Sequence, residues 1–284
     1  MTKDYDRVEQ NVALSINKLK GSSLPNNLPQ WLVNLGVRPG AIILKAEDIG
    51  ASSPDNKTDI LVTLKNSEPL KISVKKPNAD YYGNWYGHIK MVNVFGKQIF
   101  DKLTVAITQW ANNIKDDPTW DKKPFVGVSV NFGKRSGKTK LGFNEVFSNE
   151  DILTIAKGKG NGTNTANTLL ITDHGAIDSA DELISSLEEL TVKNILNEIG
   201  EFDIAVRPIN PMTEGSNRGK NIYTRFVPYK KLDVPTTITT MSELTKLGTY
   251  KTVSPVLSRP MLTHNFVLDD LEKNYNIIIP RKSK

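Results

Sequence analysis

The stretch TDILVTLKNSEPLKISVKK, residues 58–76, has the pattern of two short β-strands joined by a tight turn. Apolar residues alternate with other residues on both sides of the turn, as in half-buried strands. If residues 65–69 form the turn, the apolar residues pair as Leu64–Leu70, Val62–Ile72 and Ile60–Val74. Because a slip of one residue would break this match, the pattern predicts an antiparallel hairpin in that register.

The other face of this hairpin is more polar, and directly opposed side chains lie about 5 Å apart at Cβ. The predicted register pairs Asp59 with Lys75, Leu61 with Ser73 and Thr63 with Lys71. Two interpretations follow from this pattern. Asp59 and Lys75 form either an ion pair on a solvent-exposed face, which contributes little to stability, or part of a site that faces a specific partner.

Elements predicted around the hairpin favour the second interpretation. They are helices at 5–20, 28–35 and 99–114 and strands at 41–45 and 125–132. Apart from the short helix at 28–35, the predicted order is helix, three strands, helix, strand. The hairpin is then central in its sheet, and a polar face on a central strand usually faces something specific.

The second half of the chain is predicted to add an α+β extension. Helical spacing occurs at 149–157, 180–199 and 236–247, and strand patterns occur at 169–172, 202–209 and 221–227. The polar segment GKGNGTNTANT, 158–168, is a candidate boundary. We expect an α/β (α+β) protein with a core domain at 1–147 and an extension at 148–284 for target recognition or dimerisation.

The composition bounds the partners and the location of the protein. The 284 residues are 38% hydrophobic and 24% charged, which allows a sizeable core. A net charge of +6 and a pI near 9.2 favour a polyanionic partner. The chain has no cysteine, which excludes disulfides and thiolate metal sites. Because no apolar signal region or membrane span is evident, we expect a soluble, cytoplasmic protein, in the host cytoplasm if it is viral.

The order of elements and the polar face resemble the PD-(D/E)xK nuclease superfamily, whose core is restriction-endonuclease-like. That core has the same helix, three strands, helix, strand order around a mixed central sheet. Its signature is an acid on the second strand and acid-x-Lys on the third. Asp59 matches the first acid, with Pro54-Asp55 nearby, and the triplet here is Ser73-Val74-Lys75. The resemblance covers residues 5–132, and Ser73 departs from it because it stands where an acid is usual.

The resemblance implies a Mg²⁺-dependent endodeoxyribonuclease of restriction or phage type. Asp59 and Glu9, an acid on the first helix, would hold the metal, with Glu47 as the reserve ligand. Lys75 would orient or deprotonate the attacking water, or stabilise the developing charge. Ser73 joins the catalytic set but cannot supply the missing negative charge. Cleavage of both strands of DNA also suggests a homodimer.

Two other functions fit the same residues. Ser73 favours a non-catalytic DNA-binding protein on the same fold, because the site lacks one acid. The other alternative is a structural or assembly protein, in which the hairpin only forms one face of a sheet.

Candidate DNA contacts lie outside the catalytic set. The loop ADYYGNWYGHIK mixes aromatic, polar and basic side chains that can stack bases and hold phosphates, or else packs over the core. The loop GKRSGKTK, 133–140, is either a basic DNA-contacting loop or a solvated turn. It is not a P-loop, since three residues rather than four separate its glycines. The DNA-binding candidates are Lys71, Tyr82, Asn84, Trp85, Lys134, Arg135 and Lys138.

Overall fold

The computed structural model describes residues 2–50, 56–77, 79, 81–82, 86–213, 221–258 and 262–282. The protein is mixed α/β and has a mixed central sheet, as predicted. Its helices are α1 Thr2–Lys18, α2 Gln30–Asn34, α3 His88–Phe95, α4 Lys97–Ile114, α5 Asn149–Lys157, α6 Ala180–Ser186, α7 Val192–Ile199, α8 Met241–Thr245 and α9 His264–Tyr275. Its strands are β1 Ile43–Asp48, β2 Ile60–Leu64, β3 Leu70–Lys75, β4 Val128–Gly133, β5 Lys140–Gly142, β6 Thr168–Ile171, β7 Leu187–Glu189, β8 Asp203–Pro208, β9 Thr224–Pro228, β10 Thr236–Thr237, β11 Gly248–Thr252 and β12 Ile277–Ile278.

The chain forms two compact units, each built from two separate segments. The first unit comprises residues 1–83 and 149–201, and the second comprises residues 84–148 and 202–284. This differs from the predicted division into residues 1–147 and 148–284. The chain passes from the second unit to the first next to the predicted boundary. Residues 84–148, however, form one unit with residues 202–284.

The first unit contains a five-stranded mixed sheet in the order β1-β2-β3-β6-β7. β2 runs antiparallel to β1 and β3, β6 runs parallel to β3, and β7 runs antiparallel to β6. The hairpin strand β3 therefore lies in the middle of the sheet, as predicted. Parallel neighbours need a long crossover connection, and the chain between β3 and β6 supplies it.

One face of this sheet is covered by apolar side chains of α1 and α6. The buried cluster includes Val8, Val12 and Ile16 of α1, Ile60, Val62, Leu70, Ile72 and Val74 of β2 and β3, and Leu183 and Ile184 of α6. Full burial of each large aliphatic side chain contributes about 1.5–3 kcal/mol. The alternation that predicted the hairpin thus fixes which face packs on α1 and leaves the polar face on the other side.

The elements that complete the helix, three strands, helix, strand order are not those predicted. The expected helix at 99–114 and strand at 125–132 form as α4 and β4, but both belong to the second unit. In the first unit the helix is α5, and the strand beside β3 is β6. Periodicity predicted each element correctly but does not reveal which sheet a strand joins.

Two other predictions for the second half were wrong. The expected helix at 180–199 is interrupted by β7, because Leu187 pairs with Leu170 of β6 and Thr191 caps a new helix through Asn194 N–H. The segment 158–168 is not a domain boundary. It lies within the first unit, where the carbonyl of Asn164 accepts a hydrogen bond from Lys57 N–H.

The second unit has an aromatic core beneath the sheets β4-β8-β5 and β9-β11. His88 is fully buried in it, edge-on to Phe100 and Tyr223. Nε2 of His88 donates to the carbonyl of Ile222, and Nδ1 accepts from Val256 N–H. Burial lowers the pKa of His88 to about 4. His88 is therefore a neutral residue packed in this core.

No helix in the described part of the chain is both long enough and apolar enough to cross a membrane.

Candidate active site

The hairpin forms with the predicted faces but with a shifted register. Ile60 lies opposite Ile72, and Val62 lies opposite Leu70, which is two residues away from the predicted pairs. A shift by an even number keeps every side chain on its predicted face. In the observed register the last pair is Val62–Leu70, so the connection runs over residues 63–69 and includes Asn66 in a left-handed conformation with φ of 56°. The register places Asp59 across from Ser73 rather than Lys75.

Asp59 is the centre of the polar cluster on this face. Its Oδ2 atom accepts the backbone N–H of Val74 at 2.7 Å and the hydroxyl of Ser73 at 3.2 Å. The Nζ atom of Lys75 lies 3.6 Å from the same oxygen and donates to the carbonyl of Val74 at 2.9 Å. One carboxylate oxygen is thus fixed by a backbone amide, a hydroxyl and an ammonium group.

Burial excludes the interpretation of Asp59 and Lys75 as a surface ion pair. Only 16% of the Asp59 side chain and 19% of the Lys75 side chain are exposed, and Ser73 is 2% exposed. Removing charged groups from water is costly, so buried charges occur where they are paired or serve a function. Asp59 and Lys75 therefore form a partly enclosed charge pair rather than an exposed one.

Glu9 of α1 reaches the same site from the other side. A Cβ atom added to Gly50 would lie 3.3 Å from Oδ1 of Asp59 and 3.4 Å from Oε2 of Glu9. The two carboxylate oxygens therefore flank one small space that a side chain at position 50 would fill. The structure brings together the four residues of the predicted catalytic set: Glu9, Asp59, Ser73 and Lys75.

The reserve metal ligand, Glu47, makes a different contact. The Glu47 side chain is 45% exposed and pairs with Lys45 at 2.8 Å. Among the described residues, no group of three or more His, Cys, Asp or Glu side chains is arranged to hold a metal ion. The cluster therefore contains two carboxylates, those of Glu9 and Asp59, together with the hydroxyl of Ser73.

The predicted DNA contacts in the aromatic loop are corrected in part. Tyr82 is only 2% exposed, and burial raises its pKa, as do Glu198 and Glu188. Because its ring packs in the interior, it cannot stack on a base at the surface. Asn84 and Trp85 lie outside the described residues.

The basic loop 133–140 lies in the second unit. Lys134 is exposed, whereas Arg135 donates to the Thr139 hydroxyl at 2.7 Å and Lys138 pairs with Asp117. The loop continues into β5 rather than into a helix, and a P-loop requires a helix after its glycine loop. The segment after the glycines therefore lacks the helix that a P-loop needs, and a DNA contact by this loop stays a prediction.

Sequence reasoning missed two features of the site. Gly50 leaves the space between the carboxylates open, but a single glycine before a polar loop gives no distinguishing pattern. The backbone N–H of Val74 was also not foreseen, because it reaches Asp59 only in the shifted register.

If a divalent cation occupies the space beside Asp59 and Glu9, Gly50→Val should weaken its binding about tenfold, because the new side chain would enter that space. The added Cβ would also lie 3.4 Å from Cα of Asp59, so circular dichroism is needed to verify the fold of the variant. Isothermal titration with Mn²⁺ measures the affinity, and Gly50→Ala should give a smaller effect. An equal affinity in the wild type and both variants would show that this space holds no ion.

Comparison of the chain with protein-family models, with curated proteins and with solved structures finds no match. Its function is therefore inferred from the geometry of its own residues.

Proposed function

We propose that the protein is a Mg²⁺-dependent DNA endonuclease whose active site is formed by Glu9, Asp59, Ser73 and Lys75. The observation that carries this proposal is the environment of Asp59. One of its oxygens is fixed by Val74 N–H, Ser73 and Lys75, and the other faces the carboxylate of Glu9 across the space beside Gly50. The first unit also has the element order of the restriction-endonuclease-like core, and the net charge of +6 suits a DNA substrate.

The donor set fits a hard divalent cation. Mg²⁺ takes oxygen ligands and is commonly held by one or two carboxylates. Oδ1 of Asp59 accepts no hydrogen bond from the described residues, and Oε2 of Glu9 borders the same space. These two atoms would hold the ion. When bound, Mg²⁺ supplies Lewis acidity toward the phosphate and lowers the pKa of water.

Lys75 would act on the reacting phosphate, and Ser73 would hold Asp59 in place. The Lys75 ammonium group is held beside Asp59 by the carboxylate and by the carbonyl of Val74. From this position it can orient the attacking water and stabilise the negative charge that develops on the phosphate. Ser73 donates its hydroxyl hydrogen to Asp59 and so fixes the carboxylate orientation.

A second candidate function is favoured by Ser73 itself. A protein that binds DNA on this fold without cutting it would need no third carboxylate at this position. Such a protein should bind DNA equally well with or without Mg²⁺.

The variant Ser73→Asp tests whether the site is built around a cation. A third carboxylate beside Asp59 should lower the free energy of unfolding by about 3 kcal/mol without metal, because Ser73 is buried and the new charge lies near a like charge. Mg²⁺ should restore much of this stability, because it binds only the folded state.

Urea unfolding with and without Mg²⁺ measures both effects, and Ser73→Asn provides a control of matched size without charge. Equal midpoints for Ser73→Asp with and without Mg²⁺ would contradict a cation site at Asp59.

The proposed activity is tested by incubating the purified chain with plasmid and phage DNA in Mg²⁺ and in EDTA. Discrete fragments that form only with Mg²⁺ are expected. DNA retained in a gel shift without cleavage would support the non-catalytic alternative. Neither cleavage nor binding would leave a structural or assembly role.

A further inference from the structure

The loop at residues 158–164, which connects α5 to β6, is fixed to β3. Nζ of Lys71 donates to the carbonyls of Asn161 and Gly162, both at 3.2 Å. Lys57 N–H donates to the carbonyl of Asn164 at 2.9 Å. Lys71 lies on the same face of β3 as Ser73 and Lys75, since alternate residues of a strand share a face. The loop is thus ordered beside the face that carries Asp59.

Backbone N–H groups of this loop are available for an external acceptor. Those of residues 160–164 donate to no described residue, and all five residues are exposed. Gly158 and Gly160 have φ of 88° and 92°, a conformation that glycine adopts without strain. Successive N–H groups in turns of this kind form concavities that bind anions.

The side chains around the loop are mainly cationic. Lys157 and Lys159 belong to the end of α5 and the start of the loop, and Lys71 anchors the loop from below. No carboxylate lies within ion-pair distance of Lys157 among the residues that the structure describes. Burial lowers the pKa of Lys71, and the charge of Lys157 lowers it further, while Glu68 opposes the shift. Lys157 therefore places a positive charge at the start of the loop that no described carboxylate offsets.

We infer that the loop 158–164, with Lys157 and Lys159, binds a phosphodiester group of the DNA backbone beside the cleavage site. Lys71 and Lys75 are four residues apart on one strand face, about 13 Å along the strand. A phosphate held at the loop would therefore lie on the same DNA as the phosphate at Asp59 but would not be the reacting group. This inference rests on the proposed function, which supplies DNA as the ligand.

The test is DNA binding in EDTA, where no cleavage occurs. Fluorescence anisotropy of a labelled 20-base-pair duplex is measured against salt concentration for the wild type and for the double variant Lys157→Gln/Lys159→Gln. Each phosphate contact contributes about 0.9 to the slope of log K against log salt. We expect the double variant to reduce the magnitude of the slope by about 2.

The matched control is Lys122→Gln/Lys123→Gln, which removes two exposed lysines from the second unit. Its slope should equal that of the wild type. The inference would be overturned if the wild type and the loop variant had equal slopes, or if both double variants showed the same loss. It would also be overturned if the wild type did not bind the duplex. If the loop variant shows the expected loss but the wild type never cuts DNA in Mg²⁺, the inference stands and the proposed nuclease function fails.

Discussion

Asp59→Asn is expected to reduce Mg²⁺-dependent DNA cleavage by about 10³-fold while the protein remains folded. The asparagine side chain keeps an oxygen that can accept the N–H of Val74, so the local geometry should persist. What is lost is the negative charge that holds Lys75 and faces Glu9. The effect is large because the site is enclosed, and electrostatic interactions are stronger where water is excluded.

Single-turnover cleavage rates with the wild type and the variant measure this loss, and circular dichroism verifies the fold. Asp101→Asn is the matched control, because Asp101 pairs with Lys97 on an exposed surface of the second unit. Cleavage by Asp59→Asn at the wild-type rate would place the chemistry elsewhere.

Lys75→Met is the second substitution with a large expected effect, a loss of about 10²–10⁴ in the cleavage rate. Methionine preserves an unbranched side chain of similar length, and 81% burial of the lysine side chain is compatible with an apolar replacement. Asp59 would keep its hydrogen bonds from Val74 and Ser73. The variant therefore removes the ammonium group with little change to its surroundings.

DNA affinity separates catalysis from binding in this variant. Loss of one charge should weaken duplex binding only slightly, since it removes at most one phosphate contact. Cleavage and anisotropy measured on the same duplex give both quantities, with Lys97→Met as the control at an exposed position. A proportional loss of binding and cleavage would show that Lys75 only holds DNA.

The sequence predicted the first unit well where side-chain alternation decides the structure. The faces of the hairpin, the helix α1 and the meeting of Glu9, Asp59, Ser73 and Lys75 all follow from period-2 and helical patterns together with the family resemblance. The register differed by two residues, since alternation distinguishes the two faces but not shifts by an even number. The observed connection contains a left-handed Asn66, which the alternation does not indicate.

The pairing of β3 with β6 could not be predicted from local patterns. The helix α4 and the strand β4 have the spacing expected for the elements that follow β3, yet they belong to the second unit. Parallel pairing joins residues that are distant in the chain, here Ser73 with Leu169, and no short-range signal reports it. The position of the segment 158–168 in the first unit could not be predicted for the same reason. Its contacts with Lys57 and Lys71 join residues that are distant in the chain.

Direct measurement of metal binding tests whether Glu9 and Asp59 share one divalent cation. Isothermal titration of the purified chain with Mn²⁺, a probe of Mg²⁺ sites, should give one ion per chain for the wild type. Glu9→Gln should weaken the affinity by about 10–100-fold, and Asp59→Asn should abolish binding. Undetectable Mn²⁺ binding by the wild type would contradict a shared cation site. An affinity that neither substitution changes would contradict it as well.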